Sequence, residues 1–229
     1  MHSTLSDTVL KFLGEREAVL TGQHFVFTSG NHGSAYINMR QVAHHATFLW
    51  RVAVEMVEPV RMGLITADFI LGPETLGRNL AGYAGQDLGL PAIWCDIVKE
   101  DGVKKAVFSP KLNFDRLLPD QKVFIVDDLL TTGSSIRLVV EAAQAAGAEV
   151  VGASAVVRRT PDVVAATCNV PELNVIADVE GFEVFTPDEC AAHGPCSREE
   201  PIVLRPGHGI AYQEKHPDYP GGYTELLTA

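Results

Sequence analysis

Two adjacent carboxylates followed by a run of small hydroxyl residues make the segment Val123-Phe-Ile-Val-Asp127-Asp128-Leu-Leu-Thr131-Thr132-Gly133-Ser134-Ser135-Ile-Arg137 the most chemically loaded of the chain. Its four leading apolar residues read as a buried strand. Asp127 and Asp128 then stand where that strand emerges at its C-terminal edge, the place where open α/β sheets bind ligands. The turn Thr131, Thr132, Gly133, Ser134, Ser135 leads into a helix whose first-turn N–H groups and dipole favour an anion. Small residues let the backbone approach a phosphate closely, and the hydroxyls add donors. Beside that anion site the two acids suit ribose hydroxyls or Mg²⁺. A phosphate next to a sugar with vicinal hydroxyls is the ligand these parts describe. Taken singly, the acids could be turn formers and the Thr-Thr-Gly-Ser string an N-cap; the ordered whole favours a ligand site. No Walker A string and no Rossmann glycine fingerprint is present.

Positioning such a segment requires a sheet. Short Val/Ile/Leu-rich runs at Asp68 to Leu71, Ala92 to Trp94, Val123 to Val126, Val150 to Val157 and Asn174 to Ala177 mostly do not alternate. That is the pattern of parallel strands covered on both faces. Helical spacing predicts helices over Leu5 to Leu20, Thr47 to Val60, Leu76 to Leu88 and Ser134 to Ala146, the last stopped by Gly147. Strand, helix, strand in this order implies βαβ units and an α/β fold. The expected organisation is an N-terminal segment 1–45, an α/β core 46–180 and a C-terminal segment 181–229. The two flanks, rich in turn formers, aromatics, Cys and His, would build a small subdomain.

The Asp127–Ser135 string resembles the signature of type I phosphoribosyltransferases, which bind 5-phosphoribosyl 1-diphosphate (PRPP). The resemblance implies a central parallel sheet flanked by helices, with a small hood subdomain from the terminal segments. It also implies that Asp127 and Asp128 hold the ribose hydroxyls, while Thr131, Thr132, Gly133, Ser134 and Ser135 wrap the 5′-phosphate. Other segments are similar to orotate phosphoribosyltransferase in particular. Phe25-Val-Phe-Thr28-Ser29-Gly30-Asn-His-Gly-Ser34-Ala-Tyr36-Ile37-Asn38 resembles that family's N-terminal hood, with Tyr36 available to stack on a flat base and Ile37 beside it. Thr28 stands where several family members carry a lysine. Gly72-Pro73-Glu74-Thr75-Leu-Gly77-Arg78 resembles the pyrophosphate loop, and Arg159 falls where the family sets an arginine facing the orotate carboxylate, with Arg158 one residue away. Thr131 is assigned to the base as well.

The weakest match is the mobile loop after the third strand. Asp96-Ile-Val-Lys99-Glu-Asp-Gly102-Val-Lys104-Lys105 keeps Lys99 at the position of one family lysine and lacks the preceding Arg and the later His. Lys99 is therefore expected at the diphosphate, with Lys104 or Lys105 as a second cation. The implied reaction joins PRPP, carried with Mg²⁺, to a nitrogenous base, orotate favoured. Asp127 and Asp128 are candidates for holding the metal, and a homodimer is implied. The altered loop keeps two other readings open: transfer to a different purine or pyrimidine base, and a regulatory protein that senses PRPP or nucleotides without turnover.

Composition limits the rest. Formal net charge is −11, with no run of more than two Lys/Arg, which argues against sequence-independent nucleic-acid binding. No apolar stretch approaches the roughly 20 residues that cross a bilayer, and Met1 to Leu13 lacks the features of a secretory signal, so a cytoplasmic protein is expected. Cys95, Cys168, Cys190 and Cys196 are too few and scattered for a disulfide scaffold. Cys190, His193, Cys196 and the more distant His208 suggest a metal, yet C-x₅-C departs from the tight spacing of common structural zinc sites. Ordinary packing in the hood is the expectation there.

Overall fold

In the computed structural model, residues 4–179 and 181–226 are described; residue 180, the expected end of the core, lies outside them. In chain order the first elements are α1 (Leu5–Gly14), β1 (Val19–Val26), β2 (His32–Ile37), α2 (Ala46–Met56) and α3 (Glu58–Arg61). Next come β3 (Phe69–Pro73), α4 (Leu76–Leu88), β4 (Ala92–Glu100), β5 (Val103–Val107), β6 (Lys122–Leu130) and α5 (Ser134–Ala145). After these run β7 (Glu149–Arg158), α6 (Ala165–Cys168), β8 (Leu173–Asp178) and β9 (Val184–Phe185). The last are α7 (Pro187–His193), β10 (Ile202–Val203), α8 (Gly209–Lys215) and β11 (Tyr223–Thr224).

Two compact units emerge among the described residues: 4–10 with 42–179, and 11–41 with 181–226. The first is an α/β layer around a six-stranded sheet of order β5-β4-β3-β6-β7-β8. Only β5 runs antiparallel. The apolar runs read from sequence are these strands, lengthened at their ends. Alternate β6 side chains serve opposite faces. Val123 and Ile125 pack with Ile136, Val139, Val140 and Ala143 of α5, in a buried cluster that also takes in Leu71 and Ile93. Each fully buried Ile or Val of that stripe stabilises the layer by about 2 kcal/mol. α4 packs on β3, β4 and β6 and against α2.

The single helix expected over Thr47–Val60 is two: α2 stops at Met56 and α3 begins with Glu58-Pro59. A proline has no N–H to continue a helix and favours its first turn. The helix expected to run to Leu20 ends at Gly14. Glu17 turns the chain with φ 53°, and Val19 and Leu20 pair with Ile37 and Tyr36.

The second unit is built on a five-stranded sheet of order β11-β10-β1-β2-β9. The β1–β2 hairpin is antiparallel, with its register shifted between Thr21 and Phe25. Phe25, Val26, Ala35, Ile202 and Val203 are among its buried residues. No helix among the described residues is long and apolar enough to cross a membrane.

Candidate functional site

In the first unit the C-terminal ends of β4, β3, β6 and β7 lie side by side, because these four parallel strands are successive neighbours. Gly72, Pro73, Glu74, Thr75, Lys99, Asp127, Asp128, Thr131, Thr132, Gly133, Ser134, Ser135 and Arg159 all belong to these ends or to the turns after them. Sequence separations of up to 87 residues, from Gly72 to Arg159, thus collapse onto one sheet edge.

The strand carrying the acids continues past them. β6 runs to Leu130, pairing Asp127 with Ala155 and Leu130 with Arg158 of β7. The two acids interact with one another through their side chains, yet they differ in burial. Asp127 is 4 % exposed, and its Oδ1 accepts the backbone N–H of Asp128 at 2.9 Å. Burial, and then the charge of Asp128, push its carboxyl well above the ordinary range. Asp128 is half-buried.

At Gly133 the chain takes φ +70°, the left-handed conformation that only glycine adopts without cost. A Cβ there would lie 2.8 Å from Cys168 Sγ, so the turn sits tightly on α6. Thr132 Oγ1 donates to Ser134 Oγ at 3.0 Å and receives the Ser134 N–H at 3.4 Å. The next N–H groups open α5, and a helix offers its first-turn amides no carbonyl. No capping side chain bonds to them. A hydroxyl-rimmed set of amides at the positive end of a 12-residue helix suits a phosphate.

The β3–α4 turn is equally close-packed. A Cβ on Gly72 would collide with the Gly77 carbonyl, and one on Gly77 would meet Pro73 Cδ at 2.6 Å and the Val126 carbonyl at 3.1 Å. The Glu74–Thr75 peptide is cis. The Glu74 N–H donates to the Cys95 carbonyl at 2.8 Å, and Glu74 Oε1 accepts from Arg78 Nη1 at 2.9 Å. The Arg78 guanidinium lies 4.1 Å over the Trp94 ring. Asp96, on β4, has its carboxyl raised by burial and by a hydrogen bond with Glu74, while Arg78 opposes the shift. Asp96 and Arg78 were not among the residues expected to act. Asp96 follows the last residue of β4 paired with β3, and Arg78 lies in the first turn of α4; nothing in the sequence beside either singles it out.

Where a mobile loop was expected, the structure has a hairpin. β4 and β5 pair antiparallel from Asp96↔Val107 to Glu100↔Val103. They join through Asp101 and Gly102 at φ 49° and 84°, the positive angles of a two-residue hairpin turn, for which Asp-Gly is a preferred pair. Lys99 stands directly opposite Lys104, both exposed. Lys105 instead pairs with Glu100 at 2.6 Å.

The two arginines at the end of β7 separate cleanly. Arg158 Nε and Nη2 reach Asp178 Oδ1 and Oδ2 at 2.6 and 3.1 Å, and Nη1 donates to the Val163 carbonyl at 3.1 Å. Its fork is taken up in fastening β7 to β8. Arg159 is half-buried, its N–H donating to the Leu130 carbonyl at 2.9 Å, and burial lowers its guanidinium below the ordinary value.

Tyr36 and Ile37 belong to the second unit, at the end of β2. Tyr36 packs on Phe25 (centroids 5.5 Å) and stacks on Phe27 (6.4 Å, 17°). Thr28 Oγ1 and His208 Nε2 are hydrogen-bonded at 2.8 Å, and His193 meets Phe185 edge-on.

The family model for the phosphoribosyl transferase domain matches residues 59–181, which hold every site residue of the first unit. Over 203 residues the chain is 30 % identical to the orotate phosphoribosyltransferase of Heliobacterium modesticaldum, covering 88 % of this chain and 97 % of that one. The chain belongs to the orotate phosphoribosyltransferase family. A second relative, orotate phosphoribosyltransferase 2 of Mesorhizobium japonicum, is 33 % identical over 156 residues, 68 % of this chain and 77 % of its own. The fold is that of the crystal structure of orotate phosphoribosyltransferase from Aeropyrum pernix, with TM-score 0.59 and 24 % identity over 75 % of this chain and 94 % of that one.

Proposed function

We propose that the chain transfers the 5-phosphoribosyl group of PRPP to orotate, giving orotidine 5′-monophosphate and pyrophosphate. The observation that carries this reading is the β6–turn–α5 segment. There a half-buried Asp128 stands two residues before the end of one strand, and a hydroxyl-rimmed amide cradle opens the next helix.

In this reading the 5′-phosphate sits on the amides and hydroxyls of Thr131 to Ser135. Asp128 steadies the ribose as positive charge develops on it, and Asp127 holds Asp128's backbone from behind. The diphosphate leaves against the backbone of Gly72 to Thr75 and against Lys99, where preorganised positive charge lowers the barrier. Two lysines set opposite each other on a hairpin repel in the absence of an anion, so a bound diphosphate would relieve them. Arg159 faces the carboxylate of the base, since Arg158 is committed to Asp178. Thr131, Tyr36 and Ile37 are assigned to the base on the family resemblance.

Carboxylate oxygens are the hard donors that Mg²⁺ takes, and burial first, then the neighbouring acid, raises the carboxyls of Asp127 and Asp96. Asp127 and Asp128, with PRPP itself, are the residues assigned to hold the ion. The metal would supply charge neutralisation to the departing diphosphate. A cytoplasmic homodimer completes the proposal.

Pyrophosphate release with PRPP and Mg²⁺, run with orotate beside uracil and the purine bases, tests the reading. Release dependent on orotate supports it. The rewritten Lys99 hairpin favours one rival, transfer to another base, which release with only that base would establish. PRPP binding with no release from any base would mark a sensing protein.

A further inference from the structure

In the second unit four side chains from distant parts of the chain converge: His24, His32, Cys190 and Cys196, with one ligand atom of each within 4.8 Å of all the others. His24 Nε2 lies 2.7 Å from His32 Nδ1, 3.8 Å from Cys190 Sγ and 3.7 Å from Cys196 Sγ, and His32 Nδ1 is 3.3 Å from Cys196 Sγ. We propose that these four residues bind a structural Zn²⁺ ion as a Cys₂His₂ tetrahedron.

Bond lengths allow a direct comparison. Zn–S near 2.3 Å and Zn–N near 2.0–2.1 Å give a tetrahedron with edges of roughly 3.3–3.8 Å. Three of these four separations fall in that range. The His24–His32 contact would open by about half an ångström.

Hydrogen bonding selects the tautomer. His24 Nδ1 is 3.0 Å from the Glu200 carbonyl oxygen, which can only accept, so Nδ1 carries the hydrogen and Nε2 turns its lone pair into the cluster. Metal-binding histidines are held in this way by a carbonyl or carboxylate behind them. Tyr219 Oη donates to the same carbonyl at 2.8 Å. The Cys196 N–H donates to Cys190 Sγ at 3.2 Å, a bond that strengthens as the sulfur becomes anionic. Gly194 makes room: a Cβ there would lie 3.1 Å from that sulfur and 2.8 Å from the Cys190 Cα.

Ordinary packing accounts for the cluster poorly. His32 is fully buried, its ring covered edge-on by Tyr212, and its Nδ1 faces His24 Nε2 and Cys196 Sγ. Without an ion the atoms turned into the cluster have mainly one another as polar partners, and thiols are weak donors and acceptors. With Zn²⁺ the balance changes. Each thiol gives its proton to solvent as a Zn–S bond forms, both imidazoles bind neutral, and two thiolates cancel the dication. The completed centre is uncharged, so burying it carries no Born penalty. Cys196, half-buried where the others are buried, leaves a path for the ion. His193 and His208 take no part.

Elemental analysis of the full-length, tag-free protein, purified under reducing conditions, tests this without reference to turnover, so its outcome is separate from the phosphoribosyl-transfer reading. About one zinc per chain is expected, with unfolding at lower temperature after chelation. Cys190→Ser/Cys196→Ser should remove the metal, and His193→Ala should keep it. If the serine variant does not fold, cobalt exchanged into the parent should give the intense visible bands of a tetrahedral site with sulfur-to-cobalt charge transfer. The proposal is overturned by protein that holds less than roughly a tenth of an equivalent of zinc or cobalt after incubation with either. It is equally overturned by a Cys190–Cys196 disulfide in place of metal, or by loss of zinc from His193→Ala.

Discussion

Replacing Gly133 by alanine puts the tight seat of the phosphate turn to a quantitative test. At φ +70° an L side chain costs about 1 kcal/mol. The added Cβ would also lie 2.8 Å from Cys168 Sγ and 3.3 Å from Val163 Cγ1, both buried residues. Overpacking of this kind adds about 1–3 kcal/mol, for a total near 2–4 kcal/mol. Gly89 is the matched control: its φ is +69°, and nothing lies within 4 Å of a Cβ there. Gly89→Ala should therefore cost only about 1 kcal/mol. Urea unfolding of both variants beside the parent measures the difference. Adding Cys168→Ala to Gly133→Ala removes the obstructing sulfur and should recover part of the steric share, as a double-mutant cycle would show. Because the displaced turn carries Thr131 to Ser135, KM for PRPP should rise in Gly133→Ala. A Gly133→Ala protein within about 0.5 kcal/mol of Gly89→Ala, or one that Cys168→Ala does nothing to relieve, would refute the tight-seat account.

The two acids should respond oppositely. Asp127 has a folded pKa above its unfolded value near 3.8, so its ionisation costs no stability below that value and weakens the fold as pH rises through the folded one. Asp127→Asn should thus be more stable than the parent at pH 8, with the gap closing toward pH 4 in unfolding titrations; a gap independent of pH would be inconsistent with a buried carboxyl. Asp128→Asn should keep its fold and lose about 10²-fold or more in kcat/KM for PRPP, and unchanged turnover would remove Asp128 from the reaction. At the end of β7, Arg158→Ala should cost about 1 kcal/mol through its lost fork to the half-exposed Asp178 and leave KM for orotate alone. Arg159→Ala should raise that KM by roughly tenfold or more, and the reverse assignment of effects would exchange the two roles.

The first unit was largely legible because its strands are buried on both faces. Runs such as Val123–Val126 need no partner to be recognised, and Asp127 to Ser135 follow one of them without a break. The pairing of strands was not local, so the approach of Asp96 to Glu74 and Arg78 could not be read. At Lys99 to Lys105 the turn Asp101-Gly102 was the available signal, and the family expectation of a loop outweighed it. At Tyr36 the chemistry of the side chain pointed to a base, whereas Phe25 and Phe27 supply its packing within the same unit. The convergence of cysteines and histidines was hidden for a related reason. Cys190-x₅-Cys196 resembles no common zinc pattern by itself, and the histidines that complete the cluster lie on the β1–β2 hairpin, more than 150 residues earlier.

The second unit's split composition has a consequence during synthesis. Its β1–β2 hairpin leaves the ribosome well before α7, β10 and β11 exist, whereas the six-stranded layer is nearly complete by Val179. At translation speeds of about 5–20 residues per second, His24 and His32 wait on the order of 10–30 s for the cysteines. Throughout that interval the strands β9 and β10 that flank the hairpin do not yet exist, and its two imidazoles lack their cysteine neighbours.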